Sequence, residues 1–162
     1  MFLSQVPTSR GLKVSVITDI DVAQAKQRCR DVGWSDERIA STRFMDNAFA
    51  MCEEAAIDVV VEATGDPVIG VAHADAAIKA GLHIVMVNVE ADVLAGALMA
   101  KKAKAAGVVY SMAYGDQPAL ICELVEWAQA CGFDVVAAGK GTKYLASYHS
   151  STPDTVWEHY GL

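Results

Sequence analysis

Ile57 to Ala63 reads IDVVVEA and is closed at once by Thr64-Gly65-Asp66-Pro67. Nearly every position is apolar, the run is too short for a helix, and no alternation marks a solvated face. That predicts a strand covered on both sides, as parallel strands are. Downstream, Val68 to Ala80 carries apolar residues at helical spacing and Gly81 supplies a left-handed stop. His83 to Val87 (HIVMV) is the next strand, and Asn88-Val89-Glu90 turns into an alanine-rich helix from about Ala91 to Ala106 that Gly107 closes. Val108 to Met112 is a strand, Tyr114-Gly115-Asp116-Gln117-Pro118 starts a helix to about Cys131, and Phe133 to Ala138 (FDVVAA) is a further strand. Upstream, Leu12 to Thr18 (LKVSVIT) is a strand, Asp19 and Asp21 mark a turn, and Val22 to Asp31 is helical. Ile39 to Arg43 fits a short strand, with Asp46 capping a helix to about Ala55.

Strands alternating with helices at this spacing build βαβ units, whose right-handed crossovers give a parallel sheet with helices on both faces. The expected class is α/β, a doubly wound sheet of the Rossmann type. The expected division is an incomplete dinucleotide-binding domain over 1–138 and the start of a second domain over 139–162, where aromatic and polar residues replace the periodicity.

One part of that pattern is missing. The first strand of such a sheet normally feeds a GxGxxG loop that holds a pyrophosphate at a helix N-terminus, and no such motif occurs in the chain. Met1 to Val6 has the apolar spacing of the back half of a first helix, broken by Pro7 to Gly11. The expectation is a chain that starts inside that helix, with its first strand and glycine-rich loop lost. The strands flanking the gap would then have unpaired edges, and the chain would be unstable or borrow contacts from a partner. A different strand order with nothing missing is the alternative.

The composition excludes several classes. The 162 residues are 53% apolar with a net charge of -7, and charges of both signs are interspersed, so no basic patch suits nucleic acid. No apolar run reaches the roughly 18 residues of a membrane span and no signal peptide is evident, which points to a cytoplasmic protein. Cys29, Cys52, Cys122 and Cys131 form no CxxC pair and read as reduced apolar fillers. With His73, His83, His149 and His159 also unclustered, no metal is expected.

In an open parallel sheet the carboxyl ends of the strands share one edge, where ligands bind. Asp19 is placed to accept hydrogen bonds from an adenosine ribose, favouring NAD, or else to make a turn. Thr64 and Gly65 would lie against the nicotinamide ribose, or form an ordinary turn before Pro67. Asn88 would orient nicotinamide or substrate, or cap the following helix. Lys140 and Lys143, in Gly139-Lys140-Gly141-Thr142-Lys143-Tyr144, suit an anionic substrate or a carbonyl polarised during hydride transfer, or are solvated loop lysines. GKGTK lacks the spacing of a nucleotide-triphosphate loop.

Four stretches resemble a known family: EATG (Glu62 to Gly65), GLHIVMVNVEADVLAG (Gly81 to Gly96), YGDQPAL (Tyr114 to Leu120) and GKGTKY (Gly139 to Tyr144). They are similar to the homoserine dehydrogenase-like NAD(P)-dependent oxidoreductases, and more closely to the deoxyxylulose-phosphate reductoisomerase-like branch with a C-terminal SAF-type domain. The resemblance implies a longer parent, a small-molecule substrate and a homo-oligomer. It implies NADPH where Asp19 suggests NAD, so the cofactor stands as NAD(P). It also implies a sugar phosphate, with Lys140 and Lys143 contacting phosphate or carbonyl. Homoserine dehydrogenases typically read Asn-Lys where this chain has Asn88-Val89, which sets homoserine apart. The expected function is thus a fragment of an oxidoreductase acting on a hydroxy or carbonyl compound. The alternatives are a regulatory module without chemistry or an inactive remnant. For the chain alone, a fluorescence titration is expected to show no measurable NAD(P)H binding.

Overall fold

Phe2–Gln5 forms a one-turn helix, α1, continued by a 3-10 turn over Val6–Thr8 whose Pro7 pre-sets the backbone angle. The computed structural model describes residues 2–54, 56–114, 117–139, 145–156 and 158. Strand β1 (Val16–Thr18) follows, then α2 (Val22–Asp31), whose first turn is closed by the Asp21 side chain accepting from Gln24 N. Next come α3 (Asp36–Ser41), β2 (Arg43–Met45), α4 (Ala48–Met51) and β3 (Val59–Glu62). Helix α5 (Pro67–Lys79), β4 (His83–Met86), α6 (Val89–Ala106) and β5 (Tyr110–Met112) complete the first of two compact units, which ends at Ala113. The second unit holds α7 (Gln117–Ala130) and a 3-10 turn over Ala146–Ser150.

All strand pairs are parallel, but the ladder is in two pieces: β1 pairs with β2, and β3-β4-β5 form a separate sheet. His83 N donates to Asp58 O and Val87 N to Glu62 O, so residues 58, 60 and 62 spend their backbone groups on β4. In a parallel ladder the intervening Val59 and Val61 then face the opposite edge. By the same alternation, Arg43 N on Ser15 O and Asp19 N on Met45 O leave Val16 and Thr18 facing away from β2. Neither edge is paired with a strand among the described residues.

The core follows the same division. Ile84 and Met86 of β4 are completely buried, with Ala74 and Ala77 of α5 and Met99 and Ala103 of α6 packed on them. Small residues on the facing helix surfaces let α5 and α6 lie close to the sheet. Around β1 and β2 a smaller cluster gathers Val6, Cys29, Trp34 and Ile39, and Trp34 Nε1 donates to Leu3 O at 2.7 Å, tying α1 down.

Several expectations are corrected. Ile39 to Ser41 is the end of α3 rather than a strand, because Ser35 accepts from Arg38 N and the acidic Asp36 and Glu37 sit in the first turn. The strand is shifted to Arg43–Met45. Asn47, not Asp46, caps α4, accepting from both Phe49 N and Ala50 N. Val59 is 46% and Val61 40% exposed, so β3 is covered on one face only. Phe133 to Ala138 forms no strand and Val136 is 97% exposed. An apolar run becomes a strand only where a neighbour's donors and acceptors meet it. Cys29 and Cys52 are buried, and burial pushes both thiols up, but Cys122 and Cys131 are exposed and fill no core.

Candidate functional site at the carboxyl ends of the strands

Glu62 closes β3 with its side chain only 2% exposed. Its Oε1 accepts from Thr64 N at 3.1 Å and from the Thr64 hydroxyl at 2.6 Å, and His73 Nδ1 of α5 lies 3.4 Å from the same oxygen. Oε2 has no hydrogen-bond partner among the described residues. On its other side the His73 ring meets Phe49 of α4 edge-on, with centroids 5.1 Å apart. The turn Thr64-Gly65 is exposed, and Gly65 sits at φ +79, a conformation that glycine adopts without strain. A Cβ on Gly65 would meet nothing within 4 Å, so the space before the turn is open.

Asp66 caps α5 by accepting from Ile69 N at 2.8 Å. Its carbonyl in turn accepts from Asn88 Nδ2 at 2.8 Å, while Asn88 Oδ1 accepts from Ala91 N at 3.1 Å. Asn88 is 3% exposed, so its side chain is a strut that caps α6 and joins the loop after β3 to the loop after β4. Gly70 makes this approach feasible. A Cβ there would lie 2.6 Å from Asn88 Nδ2, 2.9 Å from Ala91 Cβ and 3.1 Å from Glu62 Oε2.

The structure thus brings Thr64, Gly65 and Asn88 together around Asp66. Asp19 is elsewhere, at the end of β1. Its Oδ1 accepts from Asp21 N at 2.9 Å, the geometry of a turn-forming aspartate, and no described hydrogen bond links it to the Thr64 group. The neighbouring Thr18 hydroxyl touches Met51 Sδ at 4.0 Å. Lys140 and Lys143 lie outside the described residues.

Two residues gain importance that the motif reading did not assign. Glu62 was visible as the acid that ends the apolar strand Val59–Glu62, and a charged residue is almost never fully buried without a reason. Asp92 accepts from the Tyr110 hydroxyl at 2.8 Å. Burial first, then the Asp92 bond and the charges of Asp92 and Glu62, hold the Tyr110 phenol well above its ordinary range, so it stays protonated and acts as a donor. Gly96 accommodates Asp92, since a Cβ there would run into the Asp92 carboxylate. No signal in the local sequence reveals that pair. Among the described residues no group of three or more His, Cys, Asp or Glu is placed to hold a metal ion, and no helix is long and apolar enough to cross a membrane.

Comparison with known proteins supplies the family. The homoserine dehydrogenase NAD-binding domain family matches residues 2–112, and the catalytic domain of the oxidoreductase DRL matches residues 115–161. No curated protein matches. Among solved structures the chain is similar to yvaA of Bacillus subtilis, described as an oxidoreductase, at 18% identity and a TM-score of 0.55 over 80% of this chain and 35% of that one. It is also similar to an NAD-binding oxidoreductase from Klebsiella pneumoniae, at 20% identity and a TM-score of 0.57 over 80% of this chain and 33% of that one. At these identities the likeness concerns the fold, and the chain spans about a third of the length of either structure. With the parallel sheet, the helix-capped strand ends and a family match over residues 2–112, the chain belongs to the family of the homoserine dehydrogenase NAD-binding domain.

Proposed function

We propose that the chain is the cofactor-binding part of an NAD(P)-dependent oxidoreductase acting on a small hydroxy or carbonyl compound, with a sugar phosphate as the substrate class. The observation that carries this reading is the Asn88 to Asp66 join, which sets an exposed, open Thr64-Gly65 turn at the carboxyl end of a parallel strand. Ligands of open α/β sheets bind at this edge.

The residues present fit the nicotinamide half of such a cofactor. Thr64 offers a hydroxyl at the surface of the turn, Gly65 leaves room for a sugar, and Glu62 keeps an unpartnered oxygen just beneath. When bound, the cofactor supplies or accepts the hydride. The chain's own residues hold and orient it. With Oδ1 engaged by the Asp21 amide, Asp19 would offer Oδ2 to the adenosine ribose hydroxyls. Lys140 and Lys143 are proposed to polarise the substrate oxygen, in a cytoplasmic homo-oligomer assembled through a substrate domain.

The test is a titration of the 15N-labelled chain with NAD or NADP at millimolar concentration, followed by amide spectra. Saturable shifts of Thr64, Gly65 and Asp19 are expected, larger for NAD than NADP because the Asp19 carboxylate repels a 2′-phosphate. Affinity is expected to be too weak for the fluorescence titration and visible only at these millimolar concentrations, since no GxGxxG motif is present to hold the pyrophosphate. If those three residues stay silent with both dinucleotides, the reading fails.

A further inference from the structure

Buried carboxylates are ordinarily matched by a cation or have both oxygens satisfied. Glu62 has neither. Among the described residues no Lys or Arg forms an ion pair with it, and His73 is the one basic side chain at ion-pair distance. All its hydrogen bonds crowd onto Oε1, while Oε2 is enclosed and unpartnered beside Gly70 and Asn88.

Two chemical consequences follow for the turn above it. A carboxylate only accepts, so the Thr64 hydroxyl proton points inward to Oε1, and Thr64 Oγ1 faces outward as an acceptor. Whatever meets Thr64 must bring a donor, as a sugar hydroxyl does. Second, a charge that no described Lys or Arg pairs projects its field beyond its own contacts. At an effective dielectric near 20, a unit charge several ångströms away is worth roughly tenfold or more in the affinity of a cation.

We propose that Glu62 is a positioning residue that biases this edge toward the oxidised, positively charged nicotinamide over the reduced, neutral one. The proposal rests on the reading of Thr64 and Gly65 as the nicotinamide-ribose contact. Both cofactor forms carry the same ribose hydroxyls, so Thr64 serves both alike, and the ring charge alone distinguishes them. A residue with a merely structural role would change both affinities together. One that acts through its charge changes their ratio.

The experiment titrates the 15N-labelled chain at pH 8 with NAD+ and, separately, NADH, reading Kd from the Thr64 and Gly65 amides. The wild type is expected to bind NAD+ about tenfold more tightly. Glu62→Gln, isosteric and uncharged, should bring the ratio close to one. Thr64→Val keeps the charge, so both affinities should fall several-fold with the ratio preserved. An unchanged ratio in Glu62→Gln, or a lost one in Thr64→Val, overturns the proposal. Equal affinities in the wild type overturn it while leaving the cofactor reading intact. Silence of both amides with both forms removes the cofactor reading and this proposal together. Should Glu62→Gln lose its dispersed spectrum, the wild-type and Thr64→Val ratios decide.

Discussion

The β1-β2 pair and the β3-β4-β5 sheet are built from equally apolar strands, VIT over Val16–Thr18 and VVVE over Val59–Glu62, yet they differ in how well they bury them. In the larger sheet, β4 is flanked by strands on both sides and roofed by α5 and α6, and Ile84 and Met86 reach 0% exposure. In the pair, all three residues of β1 are half-buried, and the cluster beneath depends on one indole, Trp34. Burial is thus a property of a strand's place in the sheet more than of its composition. Stability should be concentrated in the region with a central strand.

The comparison can be broken most directly at Ile84. Ile84→Ala removes a fully buried side chain and should cost about 2–5 kcal/mol in a urea unfolding experiment. Trp34→Ala should open only the β1-β2 region to hydrogen exchange; if it unfolds β4 as well, the two clusters are one cooperative unit. Next in size is Gly70→Ala, which forces Asn88 and Ala91 apart. It should cost about 1–3 kcal/mol and perturb the Asn88 and Thr64 amides together.

A sharper test needs no mutation. Amides of Val59, Val61, Val16 and Thr18 should exchange rapidly while those of Val60, Glu62 and Ile84 are protected, because only the latter face a paired strand. Uniform protection along β3 would mean that its outer edge is covered.

The smallest effect belongs to Asp75 of α5, held below its ordinary carboxylate range by the hydrogen bonds of Lys102 and Lys79. Its folded pKa lies below the unfolded one, so the contribution is present above the ordinary aspartate value near 4 and is lost as pH falls through the folded value. The lysines are largely solvated, so Asp75→Asn should lower stability at pH 7 by only about 0.5 kcal/mol or less and flatten the loss below about pH 4. Thermal melts from pH 3 to 7 would check this.

Much of the fold was legible because the periodicities are local. Val22–Asp31 is bounded by its Asp21 cap, and Gly81 and Gly107 stop their helices at φ +76 and +73. Phe133 to Ala138 shows where that logic ends, since its residues are apolar enough for a strand but pair with no described strand. At the site, Thr64, Gly65 and Asn88 stand out by position after strands. That Asn88 spends its amide on Asp66, and that Glu62 serves Thr64 with one oxygen and no described group with the other, depends on side chains meeting from separate elements.

The amino-acid sequence by itself determined the alternation of strand and helix, the parallel pairing, the absence of a GxGxxG loop and the family resemblance. Each of these is written in short-range spacing and residue type. Only the tertiary structure decided that, among the described residues, the ladder falls into two pieces, β3 keeps an open edge, and the buried acid beneath the Thr64 turn meets no Lys or Arg. Those outcomes are set by which backbone and side-chain groups find partners far along the chain, and no local pattern records whether such a partner arrives.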